Sequence, residues 1–192
     1  GLDDLTGRDD LTVIGAQTDA HRLPALSQAY KDGDSFTLLG EDVQVFDVSG
    51  HTLGHVAFYL PESGLVFTGD SLMALGCGRL FEGTPAQMWE SLQKLMALPE
   101  DTTICSGHEY TAANAKFALA VDPDNPDLIS RTKDIDIARA NGAPTVPSLL
   151  STELKTNPFL RPADHAIRAK LGMPNATDVE VFAEIRSRKD TF

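Results

Sequence analysis

The chain has 192 residues, 42% of them hydrophobic, with 16 Lys plus Arg against 28 Asp plus Glu and a net charge of −12. That suffices for one large domain, or a domain with an appendage, around a real core. The acidity argues against nucleic acid and anionic membranes as partners, and an anionic substrate would need a local basic patch.

From the N-terminus, GLDDLTGRDD leads without a Met into the strand-like LTVIGA, and DAHRLPAL reads as a short helix or turn. SFTLL, VQVFDV, HVAFYL and LVFTGD then follow as closely spaced strands. Several are apolar on both faces, which predicts a sheet covered on both sides within a layered α/β structure. TPAQMWESLQKLMALP predicts a helix, with Thr84 as N-cap, Pro85 at the first helical position and Met88, Leu92, Leu95 and Met96 at helical spacing. That spacing assigns its Met and Trp residues to the core. TTICSGHEY reads as a buried strand ending in a polar loop. From Thr111 the pattern becomes helical: TAANAKFALAV, PDLISRTKDIDIARANG between Asn125 and Gly142, and DVEVFAEIRSRKDTF behind a capping box from Thr177 to Glu180. The expected division is therefore 1–110, mixed α/β, and 111–192, helical.

Cys77 and Cys105 are too few and too separated for a disulfide scaffold. Both read as small buried hydrophobes, Cys105 the more so within TTIC. With no apolar run long enough for a membrane span, the cytoplasm is the expected location.

The chemistry gathers at strand ends. His51 and His55 stand four apart, a helical ligand spacing, but their flanks alternate like strands, so the pair belongs in a turn. His51, Asp70 and His108 each close a strand, and each follows a glycine. Glycine lets the chain turn sharply and approach a site closely, so three ligand-type side chains can converge at one sheet edge. Imidazole and carboxylate suit zinc, iron or manganese, and a carboxylate can bridge two ions. His21 and His165 read as solvated surface; Asp47 and Glu82 could support a site from behind its ligands.

SGHTLGH, FTGDSL, GCGRLFEGT, SGHEYT, TNPFLR and RSRKDTF, in this order, resemble the hydroxyacylglutathione hydrolases (glyoxalase II) of the metallo-β-lactamase-fold superfamily. The resemblance runs from about residue 11 to the C-terminus, and GCGRLFEGT and RSRKDTF are the segments most particular to the family. It implies an αββα sandwich followed by a helical glutathione-binding domain, and hydrolysis of S-D-lactoylglutathione to D-lactate and glutathione. It also implies two divalent ions, zinc first, with His51 on one, His108 on the other and Asp70 bridging. His55, by the same match, supports the loop. Thiolate is a good leaving group, so neither a protein nucleophile nor a dedicated general acid is required. The glutathione arm carries two carboxylates and an ammonium. The resemblance assigns Arg79, Phe81, Tyr110, Arg186 and Lys189 to it, Arg186 and Lys189 sharing one helix face. Phe81 lacks the hydroxyl of the Tyr that relatives carry there, and Arg79 replaces a Lys.

One part of the family pattern is missing: no His-x-His-x-Asp-His cluster occurs in these residues. The expectation is an N-terminally incomplete sequence in which each ion has two protein ligands, one shared, where a catalytic zinc ordinarily takes three. Residues 1–192 alone are then expected to bind no stoichiometric metal pair and to hydrolyse no thioester. Two other readings stand beside the hydrolase: a persulfide dioxygenase-like enzyme with a single iron, and an inactive fragment that only binds glutathione conjugates.

Overall fold

The computed structural model describes residues 11–192. Six strands form the main sheet in the order β10-β9-β6-β5-β4-β3. β3 (Ser35–Leu38), β4 (Glu41–Asp47), β5 (Val56–Leu60) and β6 (Leu65–Gly69) make an antiparallel meander, β9 (Thr103–Ser106) runs parallel to β6, and β10 (Ser148–Leu149) closes the edge. The parallel β6–β9 step needs a crossover, supplied by the β7–β8 hairpin (Leu72–Met73, Gly76–Cys77) and helix α1 (Pro85–Met96). Before the sheet, β1 (Ile14–Ala16) and β2 (Gln28–Tyr30) form a separate parallel pair. α1 starts with a capping box between Thr84 and Gln87.

The helical segment comprises α2 (Thr111–Val121), α3 (Pro126–Ala140), α4 (Leu150–Thr156), α5 (His165–Leu171) and α6 (Asp178–Thr191). It is not wholly helical, because β10 lies within it and adds to the main sheet. Its largest core is shared with the sheet: Ala57, Tyr59, Val66 and Ile104 from the sheet, Met88 and Leu92 from α1, and Phe182 and Ile185 from α6 belong to one apolar cluster. Met88 and Trp89 are core, Trp89 packing on Phe182, and Met96 packs partly buried against the same cluster, as their spacing predicts.

The opposite sheet face differs from the sequence expectation. Register places Val45, Phe58, Phe67 and Cys105 side by side on it. Val43 and Val45 are fully buried there, but Phe58 is half-buried and Phe67 is 44% exposed. Among the described residues, cover on this face is complete only over β4. Cys105 lies on this open face and is half-buried, whereas Cys77 is fully enclosed, the reverse of the order read from the strand pattern. Burial pushes the Cys77 thiol up to about 11 despite the nearby Arg186.

Candidate metal centre and basic cluster

His51, Asp70 and His108 follow three strand ends and converge. His51 Nε2 lies 3.5 Å from Asp70 Oδ2, and His108 Nδ1 lies 2.6 Å from Asp70 Oδ1. One carboxylate thus turns each oxygen toward a different imidazole. His51 is oriented from behind: its Nδ1–H donates to the carbonyl of Arg79 at 2.8 Å, leaving Nε2 as a lone pair directed at Asp70. Glycines make the crowding possible. A Cβ on Gly78 would stand 2.0 Å from the Asp70 carbonyl oxygen and 3.0 Å from His51 Nδ1, and one on Gly107 would stand 3.1 Å from Asp70 Oδ1.

His55 lies behind this group. Its Nε2 accepts the Asp70 backbone N–H at 3.2 Å, and a Cβ on Gly69, whose φ is +53°, would strike the same nitrogen at 2.4 Å. Burial, and then the neighbouring His51, lower the His55 pKa and favour the neutral ring that this contact requires.

The donor set suits divalent ions, and the glycines leave room for close approach. Among the described residues no three His, Cys, Asp or Glu side chains gather around one point. The arrangement is two pairs sharing a carboxylate, so each ion would take further ligands from elsewhere.

Two aromatic rings flank the group: Phe81 lies 4.9 Å from the His51 ring and is 68% exposed, and Tyr110 stacks on His108 at 5.7 Å. Farther along, Arg79 Nε approaches Asp190 at 3.9 Å, and Arg186 pairs with the same carboxylate at 2.8 Å. Lys189 joins them: burial first, then Arg186 and Arg79, lower its pKa. Two cations thus pair with one acid and a third lies near them, a local positive cluster on an acidic protein. Within it Arg186 departs from the expectation of an exposed helix-face cation. It is 4% exposed, donates to Asp190 and the Cys77 carbonyl, and lies over the Phe159 ring at 5.0 Å. Three of its N–H groups are thus engaged within the protein, so Arg186 backs the cluster from beneath while its partner Asp190 stays exposed. Arg79 is largely exposed and Lys189 partly so, in contrast to Arg186. His21 and His165 are exposed, apart from this site.

Sequence reasoning left Glu82 undecided. The structure pairs it with Arg22 through both oxygens and gives it the Leu53 N–H, tying the His51 loop to the Arg79 loop. Arg22 lies in a turn with no pattern of its own, so no sequence signal named it as the partner. The Arg22 guanidinium holds the Glu82 carboxyl down at about 2.

Residues 26–108 match the model of the metallo-beta-lactamase superfamily, and residues 109–192 match the model of the hydroxyacylglutathione hydrolase C-terminus. The hydroxyacylglutathione hydrolase of Ruegeria pomeroyi is 65% identical over the whole chain, which spans 75% of that protein; its counterpart in Roseobacter denitrificans is 63% identical over the same shares. Among solved structures, ETHE1 from Myxococcus xanthus aligns at TM-score 0.62 and 21% identity over 96% of this chain and 61% of its own. TTHA1623, solved in a di-iron-bound form, aligns at TM-score 0.55 and 25% identity over 82% of this chain and 69% of its own. The superfamily model carries the metallo-β-lactamase fold, and the sequence relatives carry the family: the chain belongs to the hydroxyacylglutathione hydrolases.

Proposed function

We propose that the protein hydrolyses the thioester of S-2-hydroxyacylglutathione, S-D-lactoylglutathione in the first place, to the hydroxy acid and glutathione. The observation that carries this reading is the Asp70 carboxylate, with one oxygen facing His51 and the other facing His108. That is the donor arrangement two adjacent cations share. Divalent ions held there would supply hydroxide at neutral pH and polarise the thioester carbonyl. Zinc is the proposed metal, with iron or manganese served by the same donors. The chain's own groups do the rest. His51 is fixed in one tautomer by the Arg79 carbonyl, and His55 holds the Asp70 backbone. Phe81 and Tyr110 border the site, and Arg79 and Lys189 offer cations to the carboxylates of the glutathione arm, with Arg186 holding the cluster from beneath. The leaving thiolate needs no protein acid.

The likeness to ETHE1 rests on fold alone, and a carboxylate divided between two imidazoles favours a pair of ions over one iron. We assign the strand-end residues to the α/β part, 1–110, and the arm-binding cations of α6 to the part from 111 on. A reducing, cytoplasmic setting suits the two unpaired cysteines.

The test is release of D-lactate from S-D-lactoylglutathione by the metal-loaded protein with the further ligands that complete each ion in place. Asp70→Ala is expected to lower turnover by about 100-fold or more. Turnover within a few-fold of wild type would return Asp70 to a structural role. A wild-type protein that is inert on the thioester, but binds one iron and consumes oxygen with glutathione persulfide, would establish the dioxygenase reading instead. A protein that binds glutathione conjugates and turns over neither would be the binding-only form.

A further inference from the structure

Between Asp70 and Arg79 the chain makes the β7–β8 hairpin, and its tip is built unlike a surface turn. Leu75 adopts a left-handed conformation, φ 56°, uncommon for a leucine, yet it is fully buried. Its side chain enters a second apolar cluster with Ala115 and Ala118 of α2 and Leu128 and Ile135 of α3. Around that plug the helical segment takes hold of the hairpin backbone. Glu153 Oε2 accepts the Leu75 N–H at 2.8 Å. Asn157 Nδ2 donates to the carbonyls of Met73 and Gly76, Asn114 Nδ2 to Ala74, and Arg186 to Cys77. Five consecutive residues are therefore gripped by four side chains from beyond residue 110. Gly76 is required by the closeness, since a Cβ there would meet Asn114 Nδ2 at 2.5 Å.

Glu153 is the keystone. It is fully buried, and its second oxygen accepts from Arg131 at 2.5 Å while Asn157 Nδ2 donates to the first at 3.1 Å. A buried carboxylate is costly unless every lone pair is used, and here each contact ties α3, α4 or the Asn157 turn to the hairpin tip. Their only hydrogen bonds to the groups described above are those of Arg186 to Asp190 and of the Asn114 N–H to the Tyr110 carbonyl at 2.9 Å. Yet the hairpin's two ends carry Asp70 on one side and Gly78, Arg79 and Phe81 on the other.

We infer that Glu153 is a positioning residue for the reaction: through the Leu75 amide it clamps the β7–β8 hairpin to the helical half, and so fixes Asp70 relative to the Arg79–Phe81 loop. The inference rests on the hydrolase reading for its catalytic consequence, but not for its structural one. Misplacement of a reacting group by about 1 Å can cost two orders of magnitude in rate, so a clamp of this kind bears on turnover as well as on folding.

Glu153→Gln and Leu75→Gly separate these roles. The first keeps the volume but sets an amide against Arg131; the second keeps the backbone conformation and removes the plug. Both are studied in the protein at a temperature where circular dichroism shows the native fold. The first readout is amide hydrogen exchange in the metal-free protein. Exchange over 72–82 is expected to accelerate about tenfold in each variant while α1 amides stay within about twofold of wild type. The second is thioester kinetics of the metal-loaded protein, with kcat expected to fall about tenfold. Should Glu153→Gln fail to fold, Glu153→Asp, which keeps the charge but shortens the reach to the Leu75 amide, decides on the same two readouts. Exchange in 78–82 that stays at the wild-type rate while only 72–77 loosens, or accelerates only in step with α1, would overturn the clamp. Local acceleration with kcat within twofold of wild type would overturn its catalytic role. A wild-type protein inert on the thioester would sink the hydrolase reading, while the exchange arm would still judge the clamp.

Discussion

Lys189 and Arg186 are three residues apart on α6, yet their surroundings assign them different work. Lys189 has a long contact to the Ala113 carbonyl and lies over the Phe117 and Phe192 rings, an arrangement a ligand carboxylate could outcompete. Lys189→Ala is therefore expected to raise KM several-fold with kcat little changed, because it would hold the unreacting arm equally in ground and transition states. Steady-state kinetics with and without added salt would check this, and an unchanged KM would return Lys189 to packing. Arg186→Ala instead removes a buried cation with committed partners and is expected to cost about 2–4 kcal/mol of stability, read by denaturant unfolding. The cysteines divide in the same way. Cys77, buried and with its thiol raised to about 11, is expected to resist a thiol reagent at neutral pH in the folded protein, while half-buried Cys105 reacts first.

At the scale of elements, α1 and the His51 loop are pressed together. Gly50 has φ 149°, and a Cβ there would stand 2.8–2.9 Å from the Cβ, Cα and Cε atoms of Met88. Gly83 crosses at the same place, its own Cβ position 2.6 Å from the Gly50 Cα. Gly50→Ala must therefore push α1 or the loop away, and it is expected to cost about 1–3 kcal/mol and to lower kcat as His51 shifts. Thr84→Ala, which loses the α1 capping box, is expected to cost about 1 kcal/mol with little change in KM. Thermal unfolding and kinetics on both variants distinguish a helix merely loosened from a ligand displaced. α1 and α6 were legible in the sequence because spacing and cap residues agree. α4, α5 and the β7–β8 hairpin were not: they are short, and their residues are chosen by the partners they grip.

For the molecule as a whole, the loops around the site are joined by the Arg22–Glu82 pair, which has an acid limit. Glu82 is held near 2 in the folded protein, below its ordinary value of 4.5, chiefly by the side-chain bond to Arg22. The unfolded chain therefore binds the proton first. The contribution of Glu82 is present above the ordinary glutamate range and is lost as pH falls from about 4.5 toward 2. Glu82→Gln is expected to flatten the loss of stability over that window, measured by unfolding at a series of pH values, and an unchanged pH profile would show the pair to be solvated. The described helices include none long and apolar enough to cross a membrane. What the sequence by itself determined is whatever local chemistry decides. Alternating apolar residues made the strands, capping residues set the helix ends, and a glycine before each of His51, Asp70 and His108 marked them as a set. Only the tertiary structure decided which oxygen of Asp70 faces which imidazole, that Arg186 turns inward while Lys189 does not, that Glu82 finds Arg22, and that Glu153 reaches the Leu75 amide 78 residues away. Those partners are far apart in the chain, and no periodicity records a contact that exists only once the sheet and the helices have packed.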